Sequence, residues 1–320
     1  MMKNKVLTLL ALCVLFYGVA SAQAKPEKFR VVGYVRGEAA EMTDQIQFKK
    51  ITHLNIAFIN PDSTSRFTEV KGIRAIVTKA HRNGVKVLMA IAGGNAPRYY
   101  RALIAPANRT LFIANLIKYM NNHDFDGIDV DIEGELITND YEGFVIQLAA
   151  AMTHGKLLTA AVATPYGPFL TAASLAQFDF INVMSYDKTG PWRPQVSGQH
   201  SPLSMAISDL DYWQNERKIP KQKLNLGVPF YGYSFGPSGA GSMPYKEIIV
   251  TYPGARDKDE LSTADGGMLY YNGIATIKAK TKLALEQSGG MMIWQLLQDA
   301  SGSDSLLELM HRDIQAAEKH

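Results

Sequence analysis

Short runs of β-branched and aromatic residues alternate along the chain with longer segments whose apolar residues recur every three or four positions. This alternation is typical of repeated βα units, because a strand buries alternate residues and a helix buries one face. The short runs predict eight strands, at residues 29–35, 52–59, 85–91, 125–131, 157–164, 178–184, 224–229 and 291–295. The longer segments predict helices at residues 68–83, 109–122, 140–153, 204–217, 274–287 and 303–317.

Eight strands that alternate with helices predict an α/β fold, a single-domain (β/α)8 or TIM barrel. The insertion between the seventh and eighth strands is expected to be short or absent, because about 60 residues separate Tyr231 from Trp294. A doubly wound open sheet is the competing fold. It is disfavoured because the first strand continues as VVGYVRGEAA, without the glycine-rich turn that binds a dinucleotide.

The first 24 residues have the composition of a secretory signal peptide. Two lysines precede an apolar run from about Val6 to Ala20, and small residues follow at Ala22 and Ala24. The run is too short to span a bilayer, so we expect a secreted or periplasmic protein whose mature form does not contact a membrane. The predicted organisation is a signal peptide at residues 1–24, cleaved after Ala22 or Ala24, and one domain at residues 25–320.

The single cysteine, Cys13, lies inside this apolar run. Lipid attachment needs a small residue just before the cysteine, but Leu12 stands there, so a lipoprotein is the less favoured alternative. The mature chain would contain no cysteine. Disulfides and thiolate chemistry are therefore excluded from it.

The charge of the chain is nearly balanced. Cleavage of the signal would remove Lys3 and Lys5 and lower the net charge from +3 to +1. Nucleic-acid binding needs a clear basic excess, so we expect no nucleic-acid partner. A neutral polymer is the more natural partner, and we expect a monomer.

The predicted strand at residues 125–131 has an unusual distribution of charge. The segment FDGIDVDIE places Asp129, Asp131 and Glu133 on alternate positions, with aliphatic residues between them. Successive side chains of a strand point to opposite faces, so the three carboxylates share one face. Burial of unpaired carboxylates costs free energy or raises their pKa values. Proteins accept this cost mainly at active sites, which use the shifted pKa values. The strand is therefore the predicted reaction centre.

The other strands end mostly in aromatic residues. In a barrel, the carboxyl ends of all strands form one face and carry the active site. Those ends, in chain order, are Tyr34, Phe58, Gly93 with Gly94, Glu133, Tyr186 with Asp187, Tyr231 and Trp294. An acidic centre ringed by aromatic side chains suits a sugar, whose apolar faces stack on rings while its polar groups form hydrogen bonds.

The same acids fit a second interpretation, a calcium loop. Asp129, Asp131, Glu133, Gly134 and Asp140 fall at positions 1, 3, 5, 6 and 12 of such a loop. The alternating aliphatic residues oppose this interpretation, because they indicate a strand and a calcium loop must curl around its ion.

The sequence resembles glycoside hydrolase family 18, the chitinases and related endo-N-acetylglucosaminidases. The segment DGIDVDIE is similar to the family signature DxxDxDxE. Six further segments match in the same order along the domain at residues 25–320, namely VVGYV, HLNIAF, KVLMAIAGG, FINVMSYD, KLNLGVPFYG and GGMMIWQLLQD.

The resemblance implies retaining, substrate-assisted hydrolysis of bonds next to N-acetylglucosamine, an exception to the two-carboxylate scheme. Glu133 is expected to be the general acid and base, with a raised pKa. Asp131 is expected to hold the acetamido group of the sugar, Asp129 to share a proton or hydrogen bond with Asp131, and Tyr186 to orient the acetamido carbonyl. No metal or organic cofactor is implied.

By the same resemblance, the substrate pocket is lined by Tyr34, Phe58, Met184, Asp187, Tyr231 and Trp294, with Trp294 as its floor. Asp126 has the opposite strand parity from the other acids, and we interpret it as a structural acid. The chain departs from the family at Ile91, where a serine is usual, and at Asn95 and Tyr233, where an aromatic residue and an arginine are common. Trp192 either provides a sugar-binding surface in place of the missing aromatic residue or packs its own loop against the barrel.

Four functions remain open at this stage. A chitinase acting on chitin or its oligosaccharides fits best. An endo-β-N-acetylglucosaminidase acting on N-glycans and an enzyme that cleaves N-acetylglucosamine links in peptidoglycan need the same chemistry. A non-catalytic chitin-binding lectin on the same barrel is the fourth. The presence of Glu133, Asp131 and Tyr186 together favours an enzyme.

Overall fold

The computed structural model describes residues 28–319. The predicted signal peptide lies outside the described residues. Within them the chain forms twelve strands: β1 Arg30–Arg36, β2 His53–Ala57, β3 Lys86–Ala92, β4 Gly127–Asp131, β5 Leu157–Val162, β6 Phe180–Val183, β7 Leu224–Pro229, β8 Tyr231–Gly236, β9 Gly239–Pro244, β10 Glu260–Ser262, β11 Met268–Tyr270 and β12 Gly290–Trp294. The same part of the chain forms nine α-helices: α1 Ile73–Arg82, α2 Tyr100–Ile104, α3 Arg109–Asn122, α4 Tyr141–Ala151, α5 Ala172–Ala176, α6 Leu203–Asp211, α7 Tyr245–Thr251, α8 Ile274–Gln287 and α9 Leu306–Ala317.

Eight of the strands close a parallel barrel in the order β1-β12-β7-β6-β5-β4-β3-β2. Each predicted strand corresponds to one barrel strand, so the predicted (β/α)8 fold is confirmed. The carboxyl ends of the strands therefore meet on one face, which we call the catalytic face.

The predicted helices at residues 109–122 and 274–287 match α3 and α8 at both ends. The predicted helix at residues 204–217 was too long as an α-helix, since α6 ends at Asp211 and a π-helical turn follows at Tyr212–Glu216. The short helices α2, α5 and α7 were missed, because five to seven residues show too little periodicity.

A small lobe at residues 231–270 is inserted between β7 and β12. Its antiparallel sheet has the order β10-β11-β8-β9, and α7 lies within it. The insertion is short, as expected, but it is ordered and contributes Tyr231 and Tyr233 to the catalytic face.

The main core lies between the barrel and its helices. Ile128 and Val130 of β4 belong to it, and Phe112 stacks on Phe144 there with ring centroids 5.5 Å apart. Among residues 28–319, no helix is long and apolar enough to cross a membrane.

Candidate active site

Asp129 and Asp131 of β4, with Glu133 two residues beyond the strand, lie on the face that the alternation predicted. Asp129 and Asp131 point into the barrel and are 0% and 3% exposed, whereas Ile128, Val130 and the next aliphatic residue pack outward against the helices. Glu133 follows the end of β4 and is half-buried at the catalytic face. The inward row is therefore a line of carboxylates that ends at the opening of the barrel.

Asp129, the deepest of the three, is held by hydrogen-bond donors from other strands. The hydroxyl of Tyr34 donates to Oδ2 at 2.6 Å, and the hydroxyl of Thr159 and the amide of Asn182 donate to Oδ1. Burial raises the pKa of Asp129, while these hydrogen bonds oppose the rise because they favour the charged form. Asp129 is thus the acid best equipped to stay ionised.

Asp131 and Glu133 form a coupled pair. Burial, then the charges of Glu133 and Asp129, raise the pKa of Asp131 well above its usual range. Burial, then the charge of Asp187, raise the pKa of Glu133 to about 7, while a hydrogen bond from Asp131 opposes the rise. The two carboxyls therefore titrate as one coupled unit that retains a proton near neutral pH. The raised pKa expected for Glu133 is confirmed.

The end of β3 shapes the space beside Glu133. Gly93 adopts φ +89, and a Cβ atom there would lie 2.3 Å from the ring of Phe58, so only glycine fits. Its N–H donates to the Asp131 carbonyl at 2.7 Å. A Cβ atom on Gly94 would lie 3.2 Å from Oε1 of Glu133. The two glycines of the segment KVLMAIAGG thus leave room for the aromatic wall and for the acid.

Three predicted pocket residues form an aromatic floor. Trp294, at the end of β12, stacks on Phe58 with ring centroids 5.6 Å apart and tilts against Tyr34 at 5.5 Å. Met184 packs against the same apolar cluster. Because Tyr34 also binds Asp129, the floor is tied directly to the row of acids.

Asp187 is the centre of a second polar group. Tyr231 donates to its Oδ1 at 2.6 Å, and Nδ1 of the fully buried His200 lies 3.4 Å from the same oxygen. Burial lowers the pKa of His200. Tyr186 lies close to the same acids. Burial raises the pKa of its hydroxyl, and the charges of Asp131, Asp187 and Glu133 raise it further. The structure therefore brings the predicted residues Tyr186, Asp187 and Tyr231 together on one side of Glu133.

Lys280 supports this group from behind. It is fully buried in α8, and its ammonium donates to the carbonyl and hydroxyl of Ser201 at 2.6 and 2.7 Å and to Asn272 at 2.7 Å. Ser201 in turn donates to the carbonyl of Ser185 at 2.6 Å. Lys280 thus fixes the segment that carries His200 against the strand end that carries Asp187.

We expect the stability of the protein to depend on pH through Lys280. Burial lowers its pKa from 10.5 to about 7. Between these values the unfolded chain binds the extra proton, so the free energy of unfolding should rise with pH, by up to about 1.4 kcal/mol per pH unit. Urea unfolding of the wild type and of Lys280→Met at several values between pH 7 and 10 measures this slope, which the variant should lose.

Lys278 provides the matched control, because it lies on the same helix and is exposed. Lys278→Met should keep the slope of the wild type. Equal slopes for the wild type and Lys280→Met would contradict the assignment.

Asp126 lies just before β4, at the end of the strand away from the catalytic face, and is a structural acid as predicted. It accepts hydrogen bonds from the backbone N–H of Val87 at 2.7 Å and pairs with His81 at 2.8 Å. The calcium interpretation is not supported, because Asp129 to Asp131 run as an extended strand and do not curl around an ion.

Trp192 lies in the loop after Asp187. Trp192 is 56% exposed, and its ring meets Tyr233 edge-on with ring centroids 5.5 Å apart. Tyr233, which stands where the family often has an arginine, is itself buried against His200.

Several residues that support the acids were missed in the sequence. Asn182 and Asn225 form a hydrogen bond at 2.9 Å inside the barrel, and Arg30 donates to Asn225 at 3.0 Å, which extends the polar chain from Asp129. The sequence did indicate inward-facing polar residues on three other strands. Polar residues interrupt the apolar segments FINV, LNLGV and LLTAAV at positions that face into the barrel. His200 and Lys280 left no such signal, because a loop residue and a helix residue become neighbours only in the folded chain.

Comparisons with known proteins agree with this geometry. The family model described as Glycosyl hydrolases family 18 matches residues 30–299. The solved structure of a chitinase from the chitin utilization locus of Flavobacterium johnsoniae is similar with a TM-score of 0.85 and 37% identity, over 91% of this chain and 95% of that chain. A solved chitinase from Bacteroides thetaiotaomicron has a TM-score of 0.80 and 27% identity, over 92% and 98% of the two chains.

One curated relative is described as chitinase-like rather than as a chitinase. A chitinase-like effector of Moniliophthora roreri is 27% identical over 60% of this chain and 55% of the effector. The alignment therefore spans about half the length of that relative.

Proposed function

Because the chain belongs to glycosyl hydrolases family 18, we propose that it cleaves the β-1,4 bonds of chitin or chitooligosaccharides by a retaining, substrate-assisted mechanism. One observation carries the proposal. Glu133 lies at the opening of the barrel, and burial and then the charge of Asp187 raise its pKa to about 7. A carboxyl that is still protonated near neutral pH is a suitable acid for a glycosidic oxygen.

In the first step, Glu133 gives its proton to the glycosidic oxygen, and the bond between that oxygen and the anomeric carbon breaks. The carbonyl oxygen of the sugar's own acetamido group forms the new bond to the anomeric carbon, so an oxazolinium-like intermediate results. Asp131 binds the acetamido N–H and stabilises the positive charge. Its Oδ1 is buried and has no hydrogen-bond partner among residues 28–319, which leaves this atom available to such a donor.

In the second step, Glu133 takes a proton from water, and the water oxygen attacks the anomeric carbon. The bond between that carbon and the acetamido oxygen breaks, which opens the oxazolinium ring. Two displacements give net retention of configuration. Tyr186 donates its hydroxyl to the acetamido carbonyl during both steps, and it lies close to Asp131 and Glu133 as this role requires. Trp294, stacked on Phe58, provides the surface beneath the reacting ring.

Product identification tests the substrate. The purified protein is incubated separately with chitooligosaccharides, a high-mannose glycoprotein and cell-wall fragments, and the products are identified by mass spectrometry. Release of short N-acetylglucosamine oligomers supports the proposal. Trimming of the glycoprotein alone would replace it with an endo-β-N-acetylglucosaminidase that uses the same residues.

A binding function without hydrolysis is the second candidate, since one relative is described as chitinase-like rather than as a chitinase. The two candidates differ in one measurement. A lectin binds chitooligosaccharides and leaves them intact over long incubation, whereas a hydrolase converts them.

We expect the rate to fall as pH rises through about 7, because only protonated Glu133 can donate to the leaving oxygen. Asp187→Asn removes a negative charge that contributes to the raised pKa of Glu133, although burial contributes more. The midpoint of the alkaline limb of kcat/KM should therefore move to lower pH by a fraction of a unit. The pH profile of kcat/KM is measured on one soluble oligosaccharide for the wild type and for Asp187→Asn, and it gives the midpoint of each protein.

Glu135→Gln is the matched control for this profile. Glu135 lies two residues after Glu133, is exposed and pairs with Arg101. Its midpoint should equal that of the wild type. A higher midpoint for Asp187→Asn would contradict the assigned electrostatics.

Export from the cell is part of the proposal and rests on residues 1–24 alone, outside the described part of the chain. Mass spectrometry of the protein recovered from the extracellular or periplasmic fraction should give an N-terminus after Ala22 or Ala24. An intact N-terminus in the cytoplasm would refute it.

A further inference from the structure

We propose that the end of the barrel opposite the catalytic face contains a binding site for a small phosphate ester. The site is a cavity of about 480 Å³, which we call the basal cavity. Its basic lining consists of Lys28, Arg30, Lys49, His53 and Lys86. The inference is independent of the proposed hydrolysis, because the basal cavity lies at the amino ends of the barrel strands.

Three basic side chains point into the barrel at this end. Arg30, His53 and Lys86 are the first residues of the neighbouring strands β1, β2 and β3. Val32 and Ala90, two and four positions further along β1 and β3, pack inside the barrel. Because the side chains of a strand alternate between faces, the three basic residues share this inward face. Apolar residues usually fill the inside of such a barrel, so packing alone does not account for this basic layer.

Contacts hold the basic side chains close together. The guanidinium carbon of Arg30 lies 4.9 Å from the centre of the Phe180 ring, and the His53 ring meets the same ring edge-on at 5.2 Å. Lys86 is the direct partner of His53 in the register of β2 and β3. Arg30 is 4% exposed, and its Nε donates to Asn225 at 3.0 Å, which fixes the guanidinium. The positive groups therefore converge on one wall of the basal cavity.

Few acids oppose these charges. Among the described residues that line the basal cavity, Asp179 is the one carboxylate, and its Oδ2 accepts the backbone N–H of Leu158 at 2.8 Å. Asp126, just before β4, pairs instead with His81 and with the backbone N–H of Val87. The cavity lining therefore carries an excess of positive charge, and a cleft lined by charges of one sign concentrates ions of the opposite sign.

His53 responds to this charge. Burial, then the charges of Lys86 and Arg30, lower the pKa of His53 to about 3, so its imidazole is neutral. A bound anion would offset the charges of Lys86 and Arg30 and change the surroundings of the ring. His53 is therefore a natural reporter of occupancy.

The lining also indicates what carries the anionic group. The volume of the cavity exceeds that of a phosphate ion, which is similar to a few waters of about 30 Å³ each. Phe48, Ile51 and Leu157 form an apolar wall. Arginine matches phosphate oxygens with a planar fork of donors, and lysine adds a point charge. These features suit a phosphate group at Arg30 and Lys86 with a small apolar body against the wall.

Isothermal titration with phenyl phosphate and with inorganic phosphate tests the site, at an ionic strength kept constant with sodium chloride. Phenyl phosphate should have the lower Kd, because its ring can contact the apolar wall. Lys86→Met should raise this Kd roughly tenfold, the effect of losing one charge-assisted contact. Lys86 is exposed at the start of β3, so the variant should fold.

Lys118→Met is the control, because it removes the same charge from an exposed position on α3 outside the basal cavity. Its Kd should equal that of the wild type. NMR spectra of protein labelled in its histidine rings locate the ligand, since phenyl phosphate should shift the signal that is absent from His53→Gln.

Three results would overturn the site: no binding of either phosphate, an unchanged Kd in Lys86→Met, or no shift of the His53 signal. A Kd for inorganic phosphate equal to that for phenyl phosphate would reject the ester and leave a site for the free ion. Loss of hydrolysis alone would not affect these outcomes, because no sugar is present in the titration.

Discussion

Glu133→Gln is expected to lower kcat on chitooligosaccharides by roughly 10³- to 10⁴-fold, the effect typical of removing a general acid that acts in both steps. Glutamine keeps the size of the side chain and can still form a hydrogen bond with Asp131, but it cannot release a proton. Initial rates and isothermal titration on the same hexasaccharide separate the two effects. The Kd should remain close to that of the wild type, since the aromatic floor at Trp294 is untouched.

Glu135→Gln again provides the comparison, because it makes the same substitution two residues away on an exposed side chain. Its kcat should match that of the wild type. A Glu133→Gln protein with more than about a tenth of the wild-type kcat would place the proton donor elsewhere, given the usual contribution of general acids.

Asp131→Asn should lower kcat by about 10²-fold, the lower end of the range for losing one group that stabilises a developing charge. Asparagine retains the shape of the buried side chain, yet it removes the carboxylate that faces the growing positive charge of the oxazolinium ring. Inhibition by a stable oxazoline analogue of the disaccharide reports this interaction directly. Its Ki should rise by a similar factor, while the Kd of unreacted substrate changes much less.

Asp126→Asn is the matched substitution for this series, because Asp126 lies on the same segment and binds the backbone of Val87 rather than the site. It should leave kcat and the inhibition constant nearly unchanged. Equal Ki values for the wild type and Asp131→Asn would refute the assigned role of Asp131.

The location of the acids was predictable because a strand has a fixed side-chain period. Once Ile128 and Val130 are assigned to the core, Asp129 and Asp131 must point into the barrel. The matching period also predicted that Asp126 lies apart from them, and its contacts with His81 and Val87 confirm this.

The supporting groups were less predictable. The proton shared between Asp131 and Glu133 depends on burial, on their separation and on the charge of Asp187, which belongs to a different strand end. The ordered lobe was predicted only as a short insertion. Its strands are brief and bury residues against Trp294 and against one another, and such contacts have no period along the sequence.

The sequence by itself determined the eight strands, the closed barrel, the face that carries the acids and the identity of the proposed acid Glu133, because each follows from local periodicity and from short motifs. Only the tertiary structure decided that Asp131 and Glu133 titrate as a coupled pair and how Lys280 and His200 support Asp187. The physical reason is that pKa values and the direction in which a loop presents its side chains depend on neighbours distant in sequence, and folding alone brings these neighbours together.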